Sequence, residues 1–206
     1  MIKTVIFDLG RVIVPFDLAR GYAALQPYCP YPAEDIPRRL AATDLVYRFE
    51  AGQISPEVFV EQFSLMLGLR VGYDTFRQLW SAIFLPETII PEPMLAGISE
   101  RYRMLLLSNT NAIHWDMIRE TYPAMRHFDD YVLSYQVGAM KPSPVIYEAA
   151  IRSAGCRPEE CFFTDDIPEY VEAARAFGID AVQFTGVEQL ERELFARNIA
   201  WSAGER

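Results

Sequence analysis

Val5, Ile6 and Phe7 form an unbroken apolar run that stops at Asp8-Leu9-Gly10. A strand covered on both faces reads this way, because neither of its alternating sets of side chains meets water. The same signature recurs four times: Met104 to Leu107 running into Ser108-Asn109-Thr110-Asn111, Tyr131-Val132-Leu133 into Ser134, Cys161-Phe162-Phe163-Thr164 into Asp165-Asp166, and Ile179 to Phe184. Between these runs lie helix-length segments at about 112–121, 143–154, 168–177 and 187–197. Ser143-Pro144 suits the start of the second, and Gly178 suits the stop of the third. Strands alternating with helices predict an α/β fold built on a doubly wound, mostly parallel, Rossmann-like sheet. In such sheets ligands bind beyond the carboxyl ends of the strands.

The stretch 16–86 breaks the alternation. It holds no comparable apolar strand and reads as several amphipathic helices, punctuated by Pro27, Pro30 and Pro32, by Gly52, and by Gly68 and Gly72. Ser55-Pro56-Glu57 has the form of an N-cap followed by proline at the first helical position, opening a helix with Phe59, Phe63 and Met66 on its apolar side. The expected organisation is a core of residues 1–15 and 87–206 with a helical insertion of residues 16–86. Because the insertion follows Asp8 directly, it should lie over the strand tips. Ser202 to Arg206 reads as a frayed tail.

Composition narrows the class. A 206-residue chain with 51% hydrophobic residues can bury a core and a small inserted unit. The net charge of −9 argues against nucleic acid or an anionic membrane as partner, since both would be repelled. Cys29, Cys156 and Cys161 lack the paired spacing of a zinc or dithiol motif and read as inert thiols. The first apolar stretch meets Asp8 too early for a signal peptide, and no segment has the length of a membrane span. A reducing, cytoplasmic location is the expectation. The oligomeric state is not set by any feature of the sequence.

Four polar clusters fall at strand tips or at the helix starts beside them: Asp8, Ser108-Asn109, Lys141 and Asp165-Asp166. Each alone is explained as readily by a turn or a helix cap. Together, and in this order, they suit phosphoryl transfer. A phosphate monoester repels nucleophiles, so its site must gather positive charge and fixed donors around the attacking group. Asp8 and Asp166 offer the oxygens that Mg²⁺ prefers. Lys141 adds a second positive charge, Ser108 a hydroxyl, and the backbone from Asn109 onward N–H donors at a helix start. Asp8 then has the environment of a nucleophile that forms an aspartyl-phosphate.

Phe7-Asp8-Leu9-Gly10-Arg11-Val12, Leu107-Ser108-Asn109-Thr110, Met140-Lys141-Pro142 and Phe163-Thr164-Asp165-Asp166 resemble, in order, the four motifs of the haloacid dehalogenase superfamily. The resemblance covers nearly the whole chain and makes 16–86 a helical cap. It implies a hydrolase with Asp8 as nucleophile, Ser108 and Lys141 on phosphate, and Asp8, Asp166 and the Gly10 carbonyl on magnesium, with Asp165 in support. Within the superfamily the chain looks most like bacterial phosphatases of small sugar phosphates such as α-D-glucose 1-phosphate. Those also carry an Asp-Leu-Gly motif and an acidic-Gly turn like Glu50-Ala51-Gly52-Gln53-Ile54-Ser55.

The sequence departs from the superfamily's pattern at Gly10, where most of its phosphatases have an aspartate that protonates the leaving group. Such general acid catalysis is worth roughly 10²–10⁴-fold. Asp17 and Arg11 are the nearest substitutes. The expected partner is therefore a small phosphorylated metabolite with Mg²⁺. The alternatives are a phosphate-binding module with weak turnover and, less in keeping with the Asp165-Asp166 pair, a 2-haloacid dehalogenase. His114 and His127 read as structural. Tyr22, Tyr28, Tyr31, Phe49, Phe59, Phe63 and Trp80 read as core of the insertion, with one or two turned to substrate. Gly52 is the expected point where a loop of the insertion dips into the site.

Overall fold

The computed structural model describes residues 1–201, and the Ser202–Arg206 tail lies outside the described residues. In chain order, β1 (Thr4–Phe7) is followed by α1 (Leu18–Leu25), α2 (Ile36–Ala41), α3 (Leu45–Glu50), α4 (Pro56–Leu67), α5 (Tyr73–Trp80) and α6 (Glu92–Ser99). Then come β2 (Arg103–Ser108), α7 (Ala112–Thr121), β3 (Asp130–Leu133), α8 (Ser134–Val137), α9 (Pro144–Ala154), β4 (Cys161–Asp165), α10 (Pro168–Ala176), β5 (Asp180–Gln183) and α11 (Val187–Ala196). The five strands are parallel, in the order β3-β2-β1-β4-β5.

Strand periodicity divides the core between the two faces of the sheet. Val5, Phe7, Met104, Leu106 and Phe162 point to one side, against α6, α7 and α11. Ile6, Leu105, Leu107 and Phe163 point to the other, against α9 and α10. Both faces are thus dry, which is why the strands read as continuous apolar runs. Helix α6, with Met94, Leu95 and Ile98 buried, lies in a stretch for which the sequence predicts no element.

The helices α1 to α5 pack around a cluster of their own, in which Phe49, Phe59, Phe63, Phe76 and Trp80 meet. Phe49 stacks on Phe59 with ring centroids 4.1 Å apart. Ser55 caps α4, accepting from the Val58 N–H, and Gly68 closes it with φ of 65°. The chain leaves and re-enters the sheet side by side: Asp17 N–H donates to Ile83 O at 2.8 Å and Leu85 N–H to Pro15 O at 3.0 Å. Among the described residues no helix is long and apolar enough to cross a membrane.

Candidate active site

Parallel register makes the first contact. Phe7 pairs with Leu106 on one side and with Thr164 on the other, so Asp8 and Asp165 emerge next to each other from the carboxyl edge. Lys141 reaches them from the loop between α8 and α9, and only 3% of it is exposed. Its ammonium donates to Asp8 Oδ1 at 2.6 Å, Asp165 Oδ2 at 2.6 Å and Leu107 O at 3.0 Å. All three of its protons therefore have acceptors.

These groups reshape one another's acidity. Burial opposes the Lys141 ammonium, but the attraction of Asp8 and Asp165 outweighs it and the lysine stays charged well above its usual range. For Asp8 burial is the larger effect. With repulsion from Asp165 it overcomes the pull of Lys141 and pushes the carboxyl up to about 7. Asp166 is raised as well, by burial and then by Asp165, against the opposing charges of Arg11 and Lys141.

Asn109 holds the lysine in place. Its Oδ1 accepts from the Lys141 N–H at 2.7 Å, and its Nδ2 donates to the Lys141 carbonyl at 3.0 Å. The side-chain amide is spent on Lys141 and, at 3.4 Å, on the Tyr170 hydroxyl, so only the Asn109 backbone is left for an anion. The backbone donors after Ser108 are also partly committed: Thr110 N–H goes to Ser134 Oγ at 2.9 Å and His114 N–H to the capping Asn111 at 3.0 Å. The Ser108 hydroxyl is buried at the tip of β2 and has only a long 3.4 Å contact, to Asn109 O.

Asp8, Asp165 and Asp166 can each bring one carboxylate oxygen to within 4.8 Å of the others. Their commitments differ. Asp165 spends Oδ2 on Lys141 and Oδ1 on the Ile167 N–H at 2.8 Å. Among the described residues, no side chain donates to Asp8 Oδ2, the Asp166 carboxylate or the Gly10 carbonyl. Three carboxylates face one lysine here, and the open oxygens are the hard ligands that a small divalent cation takes. The residues fit magnesium.

A cavity of about 550 Å³ opens between the strand tips and the helical insertion. Gly10, Ser108, Asn109 and Thr110 line it on the sheet side, and Phe16, Leu25, Trp80 and Glu50 are among those on the insertion side. Glu50 is carried there by a pin between insertion and core: Ser134 Oγ lies 2.6 Å from Glu50 O and 2.9 Å from Thr110 O. Burial pushes the Glu50 carboxyl up to about 7.

The sequence-derived residues thus meet, with some corrections. Gly52 does make a close backbone approach, but to the carbonyl of Tyr135, which would lie 2.1 Å from a Cβ at position 52. The insertion residue facing the cavity is Glu50. Asp17 caps α1 through the Ala19 N–H, and Arg11 lies 4.9 Å over the Phe16 ring on the exposed side, so neither lines the cavity. Phe49, Phe59 and Phe63 are core, as expected, whereas Tyr22 and Trp80 reach the cavity. His114 is buried against Trp80, and His127 meets Glu92 at 3.2 Å. Two residues escaped the sequence reading: Glu50, whose signal was the acidic position of the Glu50-Ala51-Gly52 turn, and Phe16, which carried no signal at all.

The chain is 28% identical over 192 residues to a D-ribitol-5-phosphate phosphatase of Bacteroides thetaiotaomicron, covering 89% of this chain and 92% of that one. A phosphatase of Mycobacterium tuberculosis is 27% identical over 87% of this chain and 86% of its own. Among solved structures, a haloacid dehalogenase family enzyme of B. thetaiotaomicron in complex with magnesium and inorganic phosphate superposes with a TM-score of 0.80 at 27% identity, covering 90% of this chain and 96% of that one. The family model described as haloacid dehalogenase-like hydrolase matches residues 2–178, and with the parallel sheet, the helical insertion and the Asp8–Lys141–Asp165 cluster it places the chain in that family: it is a haloacid dehalogenase-like hydrolase.

Proposed function

We propose that this hydrolase is a Mg²⁺-dependent phosphomonoesterase acting on a small phosphorylated metabolite through an aspartyl-phosphate on Asp8. The observation that carries the reading is the division of labour at Asp8: one carboxylate oxygen is fixed by a buried ammonium, and the other is open beside a second open carboxylate, Asp166. The relatives named above as phosphatases, and the solved enzyme holding magnesium and phosphate, support the same chemistry.

Asp8, Asp166 and the Gly10 carbonyl would hold the cation, which supplies positive charge against the phosphate. Lys141 orients Asp8 and adds a charge of its own, while Asp165 and the Asn109 side chain position Lys141. The Ser108 hydroxyl and the Asn109 N–H receive phosphate oxygens. Asp8 attacks phosphorus, the bond from phosphorus to the alcohol oxygen breaks, and the alcohol leaves with its electron pair, taking its proton from the Glu50 carboxyl or from water. Water then hydrolyses the acyl-phosphate and regenerates Asp8.

In this reading residues 16–86 act as a cap over a core of residues 1–15 and 87–206. The antiparallel bridge between Phe16 and Phe84 supports a boundary there. The acidic chain works in the cytoplasm on a small phosphate ester, without nucleic acid or membrane. The test is release of inorganic phosphate from a panel of phosphate esters with Mg²⁺ and with a chelator. Turnover that needs Mg²⁺ and vanishes in Asp8→Asn is the expected result, and full turnover by Asp8→Asn would overturn the assignment.

A further inference from the structure

We infer that the alcohol half of the natural ester is a hydrocarbon chain, alkyl or prenyl, rather than a sugar or polyol. The inference rests on the phosphatase reading and specifies its substrate class. It comes from the contrast between the floor and the walls of the cavity. The floor, at the strand tips, presents Ser108, Asn109 and Thr110. The walls that would receive the alcohol include Leu25, Leu40, Val46, Trp80, Ile83 and Phe84.

The polar atoms in those walls are mostly spent. Thr43 donates its hydroxyl to Leu40 O at 3.0 Å and accepts from the Leu45 N–H at 3.4 Å. His114 has one ring nitrogen 3.2 Å from Trp80 O and the other 3.1 Å from Asn111 Nδ2. Its ring stacks on Trp80 with centroids 5.2 Å apart, and burial holds it neutral, down at about 4. Tyr22, Glu50 and the indole N–H of Trp80, which is buried without a partner, remain. A sugar or polyol phosphate brings several hydroxyls, each of which gives up water on entry. A buried hydroxyl left without a partner costs about tenfold in binding. A hydrocarbon chain meets no such cost and gains from every methylene it removes from water.

Glu50 fits the same picture. Burial lifts it to about 7, so near neutrality much of the carboxyl is uncharged and able to donate. A hydrocarbon ester offers such a donor one oxygen at its junction with phosphate.

The test compares kcat/KM, with Mg²⁺, for propyl, hexyl, decyl and geranyl phosphates against ribitol 5-phosphate and glucose 1-phosphate. The expected result is a rise of about threefold to fourfold per methylene until the cavity is filled, with the polyol and sugar esters below hexyl phosphate. Preference for either polar ester, or no dependence on chain length, overturns the inference while leaving the phosphatase reading intact. A binding arm separates the two: hexylphosphonate and inorganic phosphate are titrated into the Asp8→Asn protein with Mg²⁺. Should no ester be hydrolysed, the phosphatase reading fails and this arm alone decides. Hexylphosphonate binding at least tenfold tighter than phosphate supports an apolar site, and equal affinities overturn it. Val46→Asn should reduce the decyl-to-propyl ratio, and an unchanged ratio counts against the cavity as the binding site.

Discussion

Phe16 occupies the space that a side chain at Gly10 would need, because a Cβ built on Gly10 comes within 2.9 Å of its ring carbon Cε1. The ring is held from two sides, edge-on to Phe84 at 6.4 Å and beneath Arg11 at 4.9 Å. An aspartate at position 10 must therefore displace it. Gly10→Asp is expected to lower stability by about 1–3 kcal/mol, the usual range for overpacking, and to leave kcat no higher. Adding Phe16→Ala should recover part of the stability lost at position 10. Urea denaturation and phosphate release check both, and a large gain in turnover from Gly10→Asp alone would contradict this steric account.

Lys141 stands between two buried carboxylates, so its removal exposes them to each other. Lys141→Met is expected to abolish turnover and to destabilise the protein by about 3–5 kcal/mol at pH 8, the range for breaking a buried ion pair. Combining it with Asp165→Asn removes one of the stranded charges. The double variant should regain stability without regaining turnover, as read by denaturant titration beside the assay. Equal stability of the single and double variants would mean that Asp165 is not stranded.

The Asn109 amide acts on the reacting groups through the lysine it brackets. Asn109→Ala should lower kcat about tenfold to a hundredfold, the usual effect of losing a residue that orients a catalytic group, while leaving KM within a few-fold. A rise in KM with kcat unchanged would make Asn109 a binding group instead.

What was legible in the sequence follows from these contacts. The strands were visible because both faces of the sheet are dry, and their tips were visible because Asp8, Ser108 and Asp165 interrupt apolar runs. Helix α6 was missed because its eight residues carry little periodic signal beyond Met94, Leu95 and Ile98. At the site, residue types were legible but hydrogen-bond partners were not. Asn109 stands beside Ser108 in sequence and suggests a phosphate ligand, yet its amide is claimed by a backbone 32 positions away. Phe16 and Glu50 acquire their roles only through the folding of the insertion onto the strand tips.

Glu50 should also leave a mark on stability. In the metal-free protein burial lifts it from 4.5 to about 7, so the folded chain keeps a proton that the unfolded chain releases. Its contribution therefore falls as pH rises from 4.5, and the loss is complete above about 7. The loss is at most about 3 kcal/mol. His114, pushed down from 6.5 to about 4, acts in the opposite sense and gains stability between those values as pH rises. Comparing wild type with Glu50→Gln, in chelator at pH 5 and pH 8, cancels the histidine. Wild type should lose ground to the variant at pH 8. The same difference at both pH values would show that Glu50 titrates as an ordinary carboxyl.

The same carboxyl is the group lining the cavity that is best suited to protonate a departing alcohol, since position 10 is closed and neither Asp17 nor Arg11 lines the cavity. An alkoxide needs that proton, whereas a nitrophenolate leaves without it. Glu50→Gln should therefore reduce kcat for hexyl phosphate by roughly 10²-fold or more while leaving p-nitrophenyl phosphate within a few-fold. The acid must be protonated to act, so wild-type turnover of the alkyl ester should decline as pH rises past about 7, and that decline should be absent from the variant. Equal losses on both esters would assign Glu50 to binding or to the fit of the insertion on the core. No loss on either would leave water as the proton source.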